Sequence, residues 1–216
     1  MSISLQFKLS DFEDASARID SSIRQTPLLK ADRLFHNPLS TGNLFLKLEN
    51  LQPTGSFKVR GAMNTLSMLS KQEKQKGLIT ASGGNHGLAV AYAAFMAQVP
   101  SLIFLPSTTP TKKIEKLRSW GAAIQVIGDV WDEANEAALE KAEKNKMTYV
   151  HPFADKRVIE GQGTVARRGL RAHLRAAHFQ VRRWLAARRT RYPSSAVLSR
   201  AQGRLRFVLY EVKDTQ

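Results

Sequence analysis

The sequence has no cysteine among its 216 residues. That excludes disulfides, thiolate metal sites and cysteine nucleophiles, and it agrees with an expected cytoplasmic setting. No apolar run approaches the ~18 residues that a membrane-spanning helix needs, so no membrane partner is expected. The opening stretch from Met1 to Asp20 carries acidic residues and no apolar core, unlike a secretory leader. The dinucleotide fingerprint G-x-G-x-x-G is missing, as is the adjacent Gly-Lys-Ser/Thr of a P-loop. No nucleophile elbow occurs. His36, His86, His151, His173 and His178 lack metal-ligand spacing, so no metal is expected. Acid is scarce in one region. Residues 167–216 hold two acidic residues against thirteen basic ones, whereas residues 1–166 hold 16 against 20. The formal net charge of +15 is therefore mostly a property of the last fifty residues.

The rest of the chain reads as globular, at 43% apolar and 24% charged. Leu44–Glu49 alternates as a strand does, and Asn50–Gly55 is turn chemistry. Ser56 is read as the cap of a helix running to about Leu69, with Val59, Ala62, Met63 and Leu66 on one face. Strands are expected at Leu78–Ala81, Ser101–Leu105, Ala123–Ile127 and Met147–Val150. Between them lie helices at about His86–Gln98, from Thr109 and Pro110 to Trp120, and at Val130–Asn145. The helix from His86 is apolar nearly all round and should be buried. This alternation predicts an α/β fold with a mostly parallel sheet and right-handed crossovers.

Ligands of such sheets bind at the carboxyl ends of strands, on helix N-termini. Two stretches fall there. In Pro53–Gly61 (PTGSFKVRG), Lys58 lies in the first helical turn, where the helix dipole disfavours an ammonium. That suits an amine that attacks a carbonyl, although an ordinary solvated lysine fits the same position. In Ala81–Gly87 (ASGGNHG), adjacent glycines admit close approach. Backbone N–H groups with Ser82, Asn85 and His86 would converge on a carboxylate or phosphate. A plain strand-to-helix turn is the other reading.

Taken together, the two stretches resemble one family. Lys47–Ala62 (KLENLQPTGSFKVRGA) is similar to the cofactor-lysine segment of serine/threonine dehydratases, pyridoxal-phosphate enzymes of the fold-type II (tryptophan synthase β-like) group, with serine racemase as a relative. Ser82–Gly87 resembles the substrate-carboxylate loop and Thr26-Pro27-Leu28 an early strand. His151-Pro152-Phe153 and Glu160–Thr164 resemble the return segment. The order and spacing agree over about residues 20–166. The resemblance implies that Lys58 holds pyridoxal 5'-phosphate as a Schiff base and moves protons. Phe57 would flank the cofactor, and Asn85 would bond its ring oxygen. Ser82, Gly84, Asn85 and His86 would bind the substrate carboxylate. The implied reaction is loss of water from L-threonine or L-serine, then release of ammonia to leave a 2-oxo acid. The sequence does not separate these substrates from hydroxyaspartate. Racemases of the group carry a serine directly after the residue matching Ser82. Here Gly83 has no side chain to deliver a proton, which favours elimination.

The pattern stops at Ala166. The resemblance implies a glycine-rich phosphate loop further on, yet residues 167–216 contain only Gly169 and Gly203. The expected organisation is an incomplete large domain (1–79 and 150–166), a small domain (80–149) and an Arg-rich tail (167–216) unlike the family. Impaired activity would follow. Within the tail, Arg167–Ser195 (RRGLRAHLRAAHFQVRRWLAARRTRYPSS) reads as a basic helix with Leu170, Leu174, Val181 and Leu185 near one face. It fits translation of a foreign frame, a fusion, or an element that binds nucleic acid or acidic surfaces. A non-catalytic fragment or an anion-binding protein is thus the alternative, with nucleic acid a partner only if the tail is genuine. A homo-oligomer is compatible with this reading. Open sheet edges and uncovered apolar faces are expected at Phe45 and on the helix holding Val59 and Met63.

Overall fold

The computed structural model describes residues 7–30, 44–170, 196–201 and 204–209. In chain order the elements are α1 (Leu9–Ile19), β1 (Leu28–Lys30), β2 (Leu44–Lys47), α2 (Lys58–Ser67), α3 (Lys71–Lys76) and β3 (Leu78–Ala81). There follow α4 (Asn85–Ala97), β4 (Ser101–Leu105), α5 (Thr111–Arg118), β5 (Ala123–Val126), α6 (Trp131–Asn145) and β6 (Thr148–Tyr149). α7 (Lys156–Leu170), β7 (Ala196–Ala201) and β8 (Arg204–Leu209) complete the set. A 3₁₀ turn, Glu49–Leu51, leads from β2 toward α2.

The expected parallel sheet has the strand order β5-β4-β3-β6. Leu78 to Ala81 pair with Ser101 to Phe104, and Leu78 and Ile79 pair with Thr148 and Tyr149, all parallel. β3 is buried on both faces, so it reads as a continuous apolar run rather than an alternation. One of its faces carries α4, whose residues from His86 to Ala94 are all buried. The other carries α6, which approaches through Ala134, Ala138 and Ala142 against Ile79, Ala81 and Phe104. Alanine at every fourth position lets α6 lie close to the sheet. Two helix starts differ by a residue or two from expectation. α5 begins at Thr111 with Pro110 as its cap, and α6 begins at Trp131.

The helix holding Val59 and Met63 is not uncovered. α2 buries every residue from Val59 to Leu66, because α4, α7 and α1 surround it. Its junction with α7 is backbone on backbone. A Cβ at Gly61 would meet the Val158 carbonyl at 2.8 Å, and one at Gly161 would meet the Arg60 carbonyl at 2.4 Å. Only glycine at both positions allows that approach.

β2 is not an open edge either. It lies in an antiparallel sheet of order β1-β2-β7-β8, with Leu44 opposite Ser199 and Lys47 opposite Ala196. The tail therefore supplies two strands, both beyond the stretch read as a basic helix; an unpaired row of backbone groups on β2 is best satisfied by another strand. Leu174, Val181 and Leu185 of the expected helix lie outside the described residues.

Between α2, α7 and the segment around Glu49 sits a buried charged network that periodicity cannot show. Arg60, 1% exposed, donates from Nε and Nη2 to Glu49 at 2.7 and 2.8 Å. Thr26 donates to the same carboxylate at 2.6 Å, and Arg60 Nη1 reaches Thr164 Oγ1 at 3.2 Å. Removing one member strands the other charge, at a cost of about 3–5 kcal/mol. Glu49→Ala and Arg60→Ala should each lose that much in denaturant unfolding. The double variant should lose less than the sum; additive losses would mean that the two side chains act independently.

Candidate active site

Lys58 stands where the chain turns from the Gln52–Gly55 bend into α2. Phe57, not Ser56, is the residue before the helix, and no side chain caps it. The reason is packing: the Phe57 ring is 2% exposed and rests on Val165 of α7, which draws that residue inward. Ser56 still contributes, since its Oγ accepts from the Lys58 N–H at 3.4 Å. Lys58 is thus the first helical residue and is half-buried. Its Nζ donates to the Pro152 carbonyl at 3.2 Å and lies 5.4 Å from the Phe57 ring centre.

The second stretch leaves the carboxyl end of β3. Ser82, Gly83, Gly84 and Asn85 are half-buried, and Gly84 caps α4. Ser82 Oγ accepts from the Gly84 N–H at 3.3 Å. The first internal turn of α4 closes with Leu88 N–H on the Gly84 carbonyl at 3.2 Å. The N–H groups of Asn85, His86 and Gly87 therefore precede the intrahelical ladder, at the helix end where backbone dipoles favour negative charge. The turn is tight: a Cβ on Gly87 would fall 1.9 Å from the Ser82 carbonyl oxygen.

His86 behaves differently from its neighbours. Its side chain is 3% exposed, and Nε2 lies 2.9 Å from the Val150 carbonyl, to which Thr80 also donates at 2.8 Å. Burial, and then the positive charge of Lys58, press its pKa down to about 3. The imidazole is neutral, donates from Nε2, and leaves a buried Nδ1 without a hydrogen-bond partner. What His86 offers to an anion is therefore its backbone N–H.

One short segment gathers both stretches. Val150 receives His86, and Pro152, two residues on, receives Lys58. Beside them Trp131 donates to the Ala81 carbonyl at 2.8 Å, and its ring lies 6.3 Å from that of Phe153. The sequence reading names His151-Pro152-Phe153 without giving it a task; its signal is a histidine directly before a proline at a strand's end. The reading also assigns no role to Arg60 or Glu49.

The donor set fits a carbonyl-bearing cofactor together with a carboxylate: one half-buried amine, and a seat of backbone N–H groups with a hydroxyl. No glycine cluster for a phosphate follows in residues 167–216.

The depressed pKa of His86 fixes a direction. The unfolded chain takes up a proton near 6.5 and the folded chain only near 3. Stability unaffected by this group above pH 6.5 should fall as pH drops through that window, by up to ~1.4 kcal/mol per pH unit. His86→Gln, which keeps a donor for Val150, should flatten the part of the slope between pH 6.5 and 5, where carboxylates titrate little. An unchanged slope in urea unfolding would show that His86 is protonated in the fold.

A family model described as pyridoxal-phosphate dependent enzyme matches residues 19–175. The L-threonine ammonia-lyase of Thermotoga maritima is 42% identical over 157 residues, which are 73% of this chain and 39% of that protein. The crystal structure of serine racemase from Dictyostelium discoideum superposes with a TM-score of 0.71 at 32% identity, over 78% of this chain and 54% of that one. The processed form of threonine deaminase isoform 2 from Solanum lycopersicum gives 0.65 at 36% identity, over 76% and 50%. The chain thus spans about two-fifths of the curated relative's length and half of each solved one. With a family match over residues 19–175 and solved relatives that superpose over three-quarters of its length, this chain belongs to the pyridoxal-phosphate dependent enzymes and shares their fold-type II α/β architecture.

Proposed function

We propose that this chain carries the lysine and the carboxylate seat of a threonine/serine ammonia-lyase, and that alone it turns over substrate weakly or not at all. The observation that carries the reading is the convergence of Lys58 and His86 on carbonyls two residues apart, at Pro152 and Val150. This supports an amine working beside the start of α4, the arrangement that an α-amino acid and an aldehyde need.

Lys58 Nζ would hold the cofactor and would take and return a proton at the substrate. Phe57 and Asn85 would help to hold the cofactor. The hydroxyl of Ser82 and the backbone N–H groups of Gly84, Asn85 and His86 bind the substrate carboxylate. The bound carboxylate orients the Cα–H bond toward the lysine amine. Pyridoxal 5'-phosphate, when bound, supplies an electron sink for charge developing at Cα. Elimination then removes the β-hydroxyl with that proton as water, and a second water replaces the nitrogen, which leaves as ammonia. L-threonine or L-serine is the substrate class.

Gly83 supports elimination over racemisation. It has no side chain, and a Cβ there would come within 2.9 Å of Thr109 Cγ2. The four parallel strands within residues 78–149 support reading 80–149 as a small domain, with residues before and after it belonging to a larger one. The missing glycine cluster supports the weak activity, because a phosphate without backbone donors is poorly held.

Borohydride reduction of the chain in the presence of pyridoxal 5'-phosphate should fix the label on Lys58. Blocked cleavage would then yield the tryptic peptide Leu48–Arg60 intact. Label on another lysine, or none, would refute the assignment. Rapid ammonia release from threonine would refute the weak activity.

A further inference from the structure

We propose that His151 is a positioning residue whose ring nitrogen builds the turn that offers the Pro152 carbonyl to the Lys58 amine. His151 Nδ1 accepts the N–H of Phe153 at 3.2 Å and that of Ala154 at 2.9 Å. A side-chain acceptor for the N–H groups two and three residues ahead is the task of Asn, Asp or Ser at a turn or helix cap; here an imidazole performs it. The turn it closes contains Pro152, which has no N–H of its own and whose carbonyl is left to face Lys58 at 3.2 Å. The ring is held edge-on to Phe153, with centres 4.5 Å apart, and to Tyr149 at 5.9 Å. Upstream, Val150 is fixed by its N–H on the Ile79 carbonyl at 2.8 Å and by Thr80 and His86 on its own carbonyl. The Pro152 carbonyl is thus held from both sides, through β3 before it and through the His151 turn after it. An amine that must hold an aldehyde, release it and return needs a fixed resting acceptor, and this carbonyl provides one. The inference deepens the proposed function and rests on it for its catalytic meaning, while the geometry concerns the free amine alone.

Two substitutions separate the acceptor from the ring. His151→Asn keeps a side-chain acceptor for the two N–H groups and loses the aromatic contacts. His151→Phe keeps the contacts and loses the acceptor. The test is acylation of the cofactor-free chain with acetic anhydride at pH 8, reading Lys58 against Lys116 by peptide mass. Loss of the resting acceptor should make Lys58 react about three- to tenfold faster in His151→Phe, the factor carried by one hydrogen bond to a partly exposed amine. His151→Asn should react like the parent chain. Equal Lys58 rates in the parent chain and His151→Phe, or a rise in His151→Asn as large as in His151→Phe, would overturn the proposal. Should His151→Phe fail to fold, hydrogen exchange of the parent chain decides: the Phe153 and Ala154 amides must be protected, and fast exchange at both refutes the turn. Failure of borohydride labelling at Lys58, with Lys58 still acylated faster in His151→Phe and not in His151→Asn, would remove the enzymatic reading and leave the positioning role standing.

Discussion

A single buried carboxylate organises the ground on which the amine stands. Glu49 receives Arg60 twice, Thr26 once and the Gln52 amide at 3.3 Å, so four hydrogen bonds from three residues meet on two oxygens. Burial pushes its carboxyl upward, but the hydrogen bonds and charge of Arg60, with Thr26 and Lys47, bring it below the ordinary carboxylate value. Lys47 adds a second cation that donates to the Thr26 carbonyl. Through Thr164, Arg60 also fastens α2 to α7. Arg60 lies two residues after Lys58, so the network holds the stretch of α2 from which the amine extends. Apolar packing alone would let α2 slide or rotate by a residue. A bidentate guanidinium–carboxylate pair has one geometry and does not.

The sequence made the central layer legible because one physical rule governs it. β3 and β4 are short, apolar and bounded by turn residues, and α4 is apolar nearly all round, so length and pattern were sufficient. The helix caps were less legible. Ser56 is the right residue type in the right place, but the burial of Phe57 wins and moves the start on by a residue. α3 was overlooked although Ser70 and Glu73 form a reciprocal capping box, at 3.2 and 2.7 Å, which the sequence spells out. α1 gives a weaker signal, since it buries only Ala15, Ser16 and Ile19. Arg60 and Asn64 could not be assigned to the core from one sequence. A polar residue on a helix face normally marks solvent, and only the partners brought from distant segments reverse that.

The candidate site was legible in a different way. Residue types and order pointed to Lys58 and to Ser82–Gly87, but not to what joins them. That joint is made of backbone carbonyls at Val150 and Pro152, and a carbonyl has no sequence signature. His86 shows the limit most clearly. Its neighbours in the loop suggested a side chain that grips an anion, whereas the ring is spent on Val150.

That expenditure has an electrostatic consequence for the seat. A protonated His86 would add a full positive charge beside Lys58, and each would disfavour the other's charged form. Burial removes that charge and leaves the start of α4 with dipoles alone: the N–H groups of the first turn and the half-buried Ser82 hydroxyl. Dipoles fixed by the backbone hold a carboxylate without requiring a counter-ion to move or to lose its water, and they impose a direction on what they hold. The neutral, internally bonded histidine therefore belongs to the design of the seat even though its ring does not face the ligand.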